Sequence, residues 1–416
     1  MENLISLGGF FCFAFTAWLL CHKKRNIRWR PVIGGIILQF AIAAIVFLLP
    51  FTRNLFLHLS DVFTSVLEFS REGILFVFGE LGALKSPQGL ILAFQVFPFI
   101  IVFSSLMALL YYLRIIPALI KGMAWVLARS LKTSGAESLC AASNVFAGIE
   151  SITAIRPYLE GMTRSEIFTI LTVGMATVAS SVMAVYVSFL SSVLPSIAGH
   201  LISASLISVP ASFVVAKLMM PETEVSETAD YASCKLHIDE NLTSITESLI
   251  SGAMAGAKLA GGVAIALIAF IGILGIVRGL FAHFTGSDIS IEQLIGYVFY
   301  PAAWLMGIPA NEVPAVSKML GERIILTEIP AYLDLEKFAK AGGSPRSVLI
   351  TSYALCGFAH IASMAIFTGG MSALAPSRIT LISKLGPKAL LAATIVTLMT
   401  GAVAGIFYWG QKGIIL

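Results

Sequence analysis

The feature that most constrains this chain is its succession of long apolar segments, which leave almost no polar sequence for a soluble domain. Of the 416 residues, 57% are hydrophobic and only 12% are charged, whereas a soluble domain carries about 25% charged residues. A helix needs roughly 20 apolar residues to cross a bilayer. The sequence therefore predicts an all-α polytopic membrane protein, with spanning segments at residues 4–20, 31–51, 90–113, 167–190, 196–218, 253–280, 348–369 and 387–408.

A dense basic cluster follows the first apolar segment and indicates how the chain is oriented. It contains His22, Lys23, Lys24, Arg25, Arg28 and Arg30. Because basic residues are enriched in cytoplasmic loops, this cluster is predicted to be cytoplasmic and the N-terminus external. Residues 53–84 differ from the spans: their apolar positions recur at spacings of three and four among charged residues. This pattern indicates an amphipathic helix at the membrane interface or against a neighbouring helix.

Two regions are apolar in stretches but repeatedly interrupted by polar residues, at 114–166 and 308–343. Irregular backbone at membrane depth is tolerated only where it lines protein or water. We therefore interpret each region as a re-entrant hairpin of two half-length helices, and we place the polar tip of the first near residues 144–151.

The span after each hairpin contains a similar string of small residues. The strings are Gly174-Met-Ala-Thr-Val-Ala-Ser180 and Gly357-Phe-Ala-His-Ile-Ala-Ser363. Matching interrupted spans in two halves are typical of secondary transporters built from inverted repeats, although small residues also serve close helix packing. We predict two broken transmembrane helices and this division: N-terminal spans with an interfacial helix and a scaffold span (1–113), a first repeat (114–218), a polar linker (219–252) and a second repeat (253–416).

Two glutamates lie at the predicted hairpin tips, Glu150 in the first and Glu328 in the second. A charged side chain at mid-bilayer costs at least about 2.5 kcal/mol and usually faces a partner or a water-filled cavity. An ionised carboxylate only accepts hydrogen bonds, which suits the hydroxyl groups of a sugar. The alternative is that each glutamate pairs with Arg156 or Arg323 and merely closes its hairpin.

Other residue types narrow the possible functions. His360, in the second broken span, is either a ligand that can titrate near neutral pH or a satisfied core residue. Asn144 and Thr177 supply neutral oxygens that suit sodium. The five cysteines show neither disulfide nor metal-cluster spacing, and there is no Gly-rich nucleotide loop, no Ser-His-Asp set and no zinc pattern. We therefore expect neither an enzyme nor a cofactor. The net charge of only +4 does not suggest a nucleic-acid-binding protein.

Several motifs resemble those of the concentrative nucleoside transporter family, the NupC type. They extend from about the first span to the last: Ala141-Ala-Ser-Asn-Val-Phe146, Ile155-Arg-Pro-Tyr-Leu159, Gly174-Met-Ala-Thr177, Gly296-Tyr-Val-Phe-Tyr-Pro-Ala-Ala-Trp-Leu-Met-Gly-Ile308, Thr327-Glu-Ile-Pro-Ala-Tyr332 and Gly357-Phe-Ala-His-Ile-Ala-Ser363. The resemblance implies a homotrimer of scaffold and transport domains in the lipid bilayer, with an elevator-like motion and sodium or proton coupling.

The resemblance also implies a substrate site and an ion site. Glu150, Glu328, Phe358 and Ser363 match the family's nucleoside ligands, and Val182 matches an apolar contact. The implied sodium ligands are the side chains of Asn144 and Thr177 with the backbone around Ala147 and Val178.

This sequence departs from the family at the tips and in the second broken span. The first tip reads Ala147-Gly148-Ile149-Glu150 where the family has Gly-Gln-Thr-Glu, one residue longer. His360 replaces an asparagine that binds ribose, and Thr327 replaces the asparagine before the second glutamate. We therefore count Gly148, Ile149 and His360 among the substrate contacts and leave the base preference open.

The functional hypothesis is an ion-coupled importer of nucleosides or nucleoside-like solutes, multi-pass in a bacterial inner membrane and working by alternating access. Two alternatives remain at this point. One is transport of a different polar solute, such as a modified nucleoside, on the same scaffold. The other is a membrane protein that keeps a gate-like hairpin without transporting anything.

Overall fold

The structure is a computed structural model that describes residues 1–410 except 22, 84–90, 229–233, 235, 237–243 and 286–290. His22 of the basic cluster and residues 229–233, 235 and 237–243 of the polar linker therefore lie outside the described residues. The described residues form helices and no strand, and eight of their helices are long and apolar enough to cross a membrane. The all-α fold class is confirmed.

The N-terminal helices follow the predicted segments closely. Helices α1 (Glu2–Leu19) and α2 (Trp29–Leu48) are the first two spans. Helix α3 (Pro50–Phe78) is long but is not among the helices apolar enough to span, in agreement with an amphipathic interfacial helix. The third apolar segment is divided into α4 (Leu92–Gln95) and α5 (Phe97–Tyr112). The division occurs beside Pro98, which has no N–H with which to continue a helix.

The region 114–166 contains three helical elements where the sequence predicted two. Helix α6 (Ile115–Leu131) is separate and amphipathic, and residues in the left-handed conformation, Arg114 and Lys132, flank it. The first hairpin then consists of α7 (Gly135–Ala147) and a 3-10 helix (Gly148–Gly161). A capping box formed by Ser134 and Glu137 begins α7. The chain turns at Gly148, whose φ of 57° favours glycine.

The span after this hairpin is broken, as the sequence predicted. Helix α8 (Arg164–Ala176) ends before an extended stretch, and the chain resumes as α9 (Ser180–Leu190). We call residues 177–179 the first break. Helix α10 (Ile197–Met219) completes the first repeat as an intact and almost wholly buried helix.

The second half repeats this plan. After α11 (Ile245–Thr285), which is longer than the predicted span, come α12 (Ile291–Leu305) and the second hairpin, formed by α13 (Val313–Ile325) and α14 (Glu328–Lys340). Helices α15 (Pro345–Leu355) and α16 (Ile361–Leu374) form the second broken span, and α17 (Ile379–Phe407) ends the bundle. We call residues 356–360 the second break.

Two groups of helices can be distinguished by what they contact. Helices α1, α2, α10 and α17 pack closely against one another and against α8 and α15 around the two breaks. Helices α5 and α11 pack mainly against each other. The outer face of α11 presents apolar side chains such as Ile265, Ile268 and Ile276, which are 65–76% exposed. A bilayer or a neighbouring protein is the environment such a face requires.

Polar contacts hold the base of each hairpin. At the first hairpin, Lys217 of α10 donates hydrogen bonds to Glu137 and to Ser165, and all three side chains are buried. At the second, Glu312 accepts hydrogen bonds from Ser344 at 2.5 Å and from Ser347. Partial burial would raise the pKa of the Glu312 carboxyl, but these hydrogen bonds outweigh it and hold the pKa below its usual range.

Candidate functional site

The two breaks meet in the middle of the bundle. The backbone N–H of Phe358, in the second break, donates to the carbonyl of Thr177, in the first, at 3.3 Å. Glycines allow this approach: a Cβ on Gly357 would lie 2.9 Å from the Ala176 carbonyl oxygen, and one on Gly174 would lie 2.4 Å from the Phe367 ring. The repeated glycine of the two strings therefore has a steric cause in both halves.

A cavity with an empty volume of about 420 Å³, partly open to the surroundings, lies between the first hairpin tip and the two breaks. Apolar side chains form most of its wall, and Glu150 is the one charged group among its lining residues. Glu150 is accessible from the cavity although protein surrounds it on most sides. The lining residues are Gly148, Ile149, Glu150, Gly174, Thr177, Val178, Ala179, Val182, Leu259, Phe358, Ile366 and Phe367.

A buried polar cluster adjoins the cavity wall at Phe358. The ring of His360 packs edge-on against the Phe358 ring with 4.6 Å between centroids. His360 Nε2 lies 3.0 Å from Glu328 Oε2, and the Tyr186 hydroxyl donates to Glu328 Oε1 at 2.5 Å. Glu328 and His360 are each 1% exposed. Both carboxylate oxygens of Glu328 thus face protein groups, while the carboxylate of Glu150 faces the cavity.

Hydrogen bonding at the start of α16 determines which nitrogen of His360 carries the proton. The backbone N–H of Ser363 donates to His360 Nδ1 at 3.1 Å, and the Ser363 hydroxyl donates to the His360 carbonyl at 2.7 Å. A ring nitrogen that accepts a hydrogen bond carries no proton. The neutral imidazole therefore presents an Nε2–H donor toward Glu328. In this arrangement the His360 side chain caps α16, and Ser363 completes the capping box and orients His360 rather than lining the cavity.

The neutral side chains proposed for sodium come together at the first break. The Asn144 side chain, in the last turn of α7, makes a short hydrogen bond with the Thr177 hydroxyl. Its Nδ2 also lies 3.4 Å from the Val173 carbonyl oxygen and 3.5 Å from that of Gly174. Ser151 donates to Asn144 Oδ1 at 3.0 Å. Four oxygens and one amide are therefore gathered where α8 ends.

The sequence-predicted residues divide into three groups in the structure. The cavity lining contains Gly148, Ile149, Glu150, Thr177, Val178, Val182 and Phe358. The buried cluster contains Glu328, His360 and Ser363, and Asn144 and Ala147 lie at the end of α7 beneath the first tip. The pairings of Glu150 with Arg156 and of Glu328 with Arg323 are not among the ion pairs of the described residues.

Sequence reasoning missed Tyr186, Ser151 and three lining residues, Leu259, Ile366 and Phe367. Tyr186 carried a usable signal, because it is a polar aromatic residue six positions beyond the first broken string. The three lining residues carried none, since an apolar residue in an apolar helix looks the same whether it faces a cavity, lipid or the core.

Comparison with known families matches most of the chain to one group. Residues 8–81 match the family described as the Na+ dependent nucleoside transporter N-terminus, and residues 200–405 match its C-terminus. Residues 93–193 match a family named Gate and described as nucleoside recognition. The first hairpin and the first break both fall within that last match.

Similar proteins and structures cover the whole chain. An uncharacterized transporter of Bacillus subtilis, YutK, is 36% identical over 98% of this chain and 100% of its own. The nucleoside permease NupC of Helicobacter pylori is 35% identical over 98% of each chain. The human solute carrier family 28 member 3 is 33% identical over 97% of this chain and 60% of its own. The structure of CNTnw in an inward-facing substrate-bound state has a TM-score of 0.92 at 34% identity, over 100% of this chain and 99% of that one.

Proposed function

Since this chain belongs to the concentrative nucleoside transporter family, whose members are transporters and not enzymes, we propose that it imports nucleosides or nucleoside-like solutes. The import is coupled to sodium or protons and crosses a bacterial inner membrane. The observation that carries this proposal is the cavity where the two breaks meet, because it combines one accessible carboxylate with an aromatic wall.

The cavity offers complementary surfaces to the two parts of a nucleoside. Glu150 can accept hydrogen bonds from sugar hydroxyls, as an ionised carboxylate donates none. The rings of Phe358 and Phe367, whose centroids are 6.5 Å apart, supply apolar surface for a base. A small number of polar groups in a mostly apolar pocket is the usual composition of a small-molecule site.

Glu328 and His360 complete the substrate site in this proposal. The Phe358 ring separates His360 from the cavity, and Glu328 lies behind His360, with 3.0 Å between Oε2 and Nε2. A substrate that displaces the edge of Phe358 gains access to a carboxylate already oriented by Tyr186. The movement of Phe358 is then part of substrate binding, and Ser363 keeps His360 in place while it occurs.

The coupling ion has a candidate site at the first break. The Thr177 hydroxyl and the carbonyls at the end of α8 present oxygens around the Asn144 amide nitrogen, and a turn of that amide would add its own oxygen. Hard cations prefer such ligands. The C-terminal end of the half-helix α8 adds partial negative charge. These features favour sodium, in line with the family description. Protons are the alternative, since His360 and Glu328 are both titratable groups.

A modified nucleoside or another polar solute is a second candidate cargo. The observation that favours it is Ile149, which lines the cavity beside Glu150 and offers no hydrogen bond to a base. A site that does not read hydrogen bonds on its ligand discriminates weakly against related ligands. We therefore expect the site to tolerate a broad range of bases. As a member of this family, the protein is also proposed to be a homotrimer that moves its substrate by alternating access.

Uptake in a bacterial strain without nucleoside transporters tests this proposal. Labelled nucleosides, modified nucleosides, nucleobases and sugars are supplied with and without sodium and over a range of external pH. We expect uptake of at least one nucleoside above the level of the empty vector, and Glu150→Gln as the matched variant with reduced uptake. If no compound accumulates although the protein reaches the membrane in normal amounts, the transport proposal fails and the non-transporting alternative gains support.

A further inference from the structure

Arg323 is the largest side chain that the described residues bury completely, and transport chemistry as described so far does not use it. It lies in α13, the first helix of the second hairpin. Its Nη1 donates to the Ala354 carbonyl at 2.5 Å and to the Thr397 hydroxyl at 2.9 Å. Within the described part of the chain, its Nε and Nη2 have no hydrogen-bond partner. A buried cation with two unbonded donors is costly, so the presence of this charge needs an explanation.

A direct ion pair does not provide that explanation. The described residues place no carboxylate within ion-pair distance of the Arg323 guanidinium. Glu328 begins α14, three positions after α13 ends, so it lies in the same hairpin tip as Arg323; its own oxygens face Tyr186 and His360. Arg323 therefore contacts the end of α15 directly and shares the second hairpin tip with Glu328.

The corresponding place in the first repeat is occupied by a neutral residue. Asn144, in the first helix of the first hairpin, directs its amide to the carbonyls of Val173 and Gly174 at the end of α8. Arg323, in the first helix of the second hairpin, directs its guanidinium to the carbonyl of Ala354 at the end of α15. In both repeats the hairpin thus reaches the negative end of the half-helix that precedes the break.

We propose that Arg323 is a fixed internal cation, which does for the second break what a coupling ion does for the first. It neutralises the α15 end and balances Glu328 throughout the transport cycle. The second break consequently needs no exchangeable cation, and the coupling ion is required at the first break alone. Arg323 is a positioning residue in this scheme, because it holds the end of α15 and balances the charge of Glu328 without touching the substrate. The inference rests on the proposed function for its transport consequences.

Charge removal at constant size is the direct test. Arg323→Met removes the charge and keeps an unbranched apolar side chain, Arg323→Lys keeps the charge, and Arg346→Met is the matched control. Arg346 is also a buried arginine of the second half, but it lies at the hairpin base, where it contacts Glu2 at 3.2 Å and the Gly307 carbonyl at 2.8 Å. Uptake is measured against the concentration of the coupling cation and of the nucleoside.

We expect Arg323→Met to raise the half-saturating concentration of the coupling cation and the nucleoside KM by about fivefold or more, the lower limit of typical coupling between sites. Arg323→Lys should restore both to within about twofold of the original protein, and Arg346→Met should change neither. Unchanged cation dependence in Arg323→Met, with protein present in the membrane, would overturn the proposal.

A second measurement does not depend on transport. The melting temperature of the purified protein is determined for Arg323→Met, Glu328→Gln and the double variant. If the two charges balance one another, the double variant loses less stability than the sum of the single losses; additive losses contradict the proposal. This cycle remains decisive if the original protein transports no nucleoside, so failure of the proposed function and failure of this inference are distinguishable.

Discussion

The two breaks share a backbone plan and differ in what surrounds them. Each follows a re-entrant hairpin, and each lies between two half-helices. Of the two half-helices that follow a break, only α16 begins with a capping box. The first break is surrounded by neutral oxygens and opens on the cavity that contains Glu150. The second encloses Glu328 among Tyr186 and His360, with Arg323 in the same hairpin tip.

This difference shows that two repeats with the same backbone plan can place different side chains at equivalent positions. The repeated backbone plan brings two half-helix ends together in the bundle, each with a hairpin-tip glutamate, but different side chains surround them. A carboxylate that faces an open cavity can bind and release a ligand at low cost. A cluster whose polar atoms already face one another is preorganised, and it orients what binds beside it. Four substitutions test this contrast.

The largest effect is expected for Glu328→Gln. Glutamine keeps the volume but removes the charge that accepts from the Tyr186 hydroxyl and lies 3.0 Å from His360 Nε2. A hydrogen bond to a charged group contributes about 1.5–3 kcal/mol, so its loss together with that of the close His360 contact predicts a roughly 100-fold or greater drop in nucleoside uptake. Initial rates per amount of membrane protein measure it. Unchanged uptake would show that the enclosed cluster has no part in transport.

Glu150→Gln should have a smaller effect, and one of a different kind. Because Glu150 is accessible from the cavity, its replacement leaves no buried partner unsatisfied and should leave the melting temperature nearly unchanged. The nucleoside KM should rise about tenfold to 100-fold through loss of a charged acceptor for sugar hydroxyls. Comparing KM and melting temperature in the two glutamine variants therefore separates a ligand-facing carboxylate from an enclosed one.

Thr177→Val tests whether the first break binds the coupling ion. Valine has the shape of threonine without the hydroxyl that contacts Asn144. We expect about a tenfold rise in the half-saturating sodium concentration and little change in KM at saturating sodium. Thr172→Val is the matched control, because Thr172 lies in the same helix and donates to the Phe168 carbonyl at 2.8 Å. Equal responses of the two variants would contradict an ion site at Thr177.

The sequence predicted the spans, hairpins and breaks because each has a local sequence pattern. Segment hydropathy located the spans, and the polar interruptions located both hairpins and both breaks. The contact between the two breaks was not predicted; in the structure Gly357 and Gly174 both have close neighbours there. Family resemblance supplied the site residues that the composition alone could not rank.

Three features could not be predicted because they depend on contacts between distant parts of the chain. The separate helix α6 is one: its sequence reads as apolar with charges, and only its packing shows that it precedes the hairpin. The enclosure of Glu328 is another, since it requires Tyr186 from the other repeat. The third is the capping box that Ser363 forms with His360 at the start of α16; the role of Ser363 as a ligand stays a prediction.

The smallest effect is expected for Ser151→Ala, which tests whether the first break is separate from the cavity. Ser151 donates to Asn144 Oδ1 at 3.0 Å and lies 3.6 Å from the Cys140 sulfur, so it orients the Asn144 amide from the opposite side to Thr177. A hydroxyl can also accept, and it would remain a partner if the amide turned its oxygen toward a bound cation. A neutral hydrogen bond contributes about 0.5–1.5 kcal/mol, which predicts a roughly threefold to tenfold rise in the half-saturating sodium concentration. Ser143→Ala, a buried neighbour whose hydroxyl makes no hydrogen bond in the described structure, should leave it unchanged. If Ser151→Ala instead alters the nucleoside KM and not the sodium dependence, Ser151 belongs to the cavity and the first break is less separate from it than its geometry indicates.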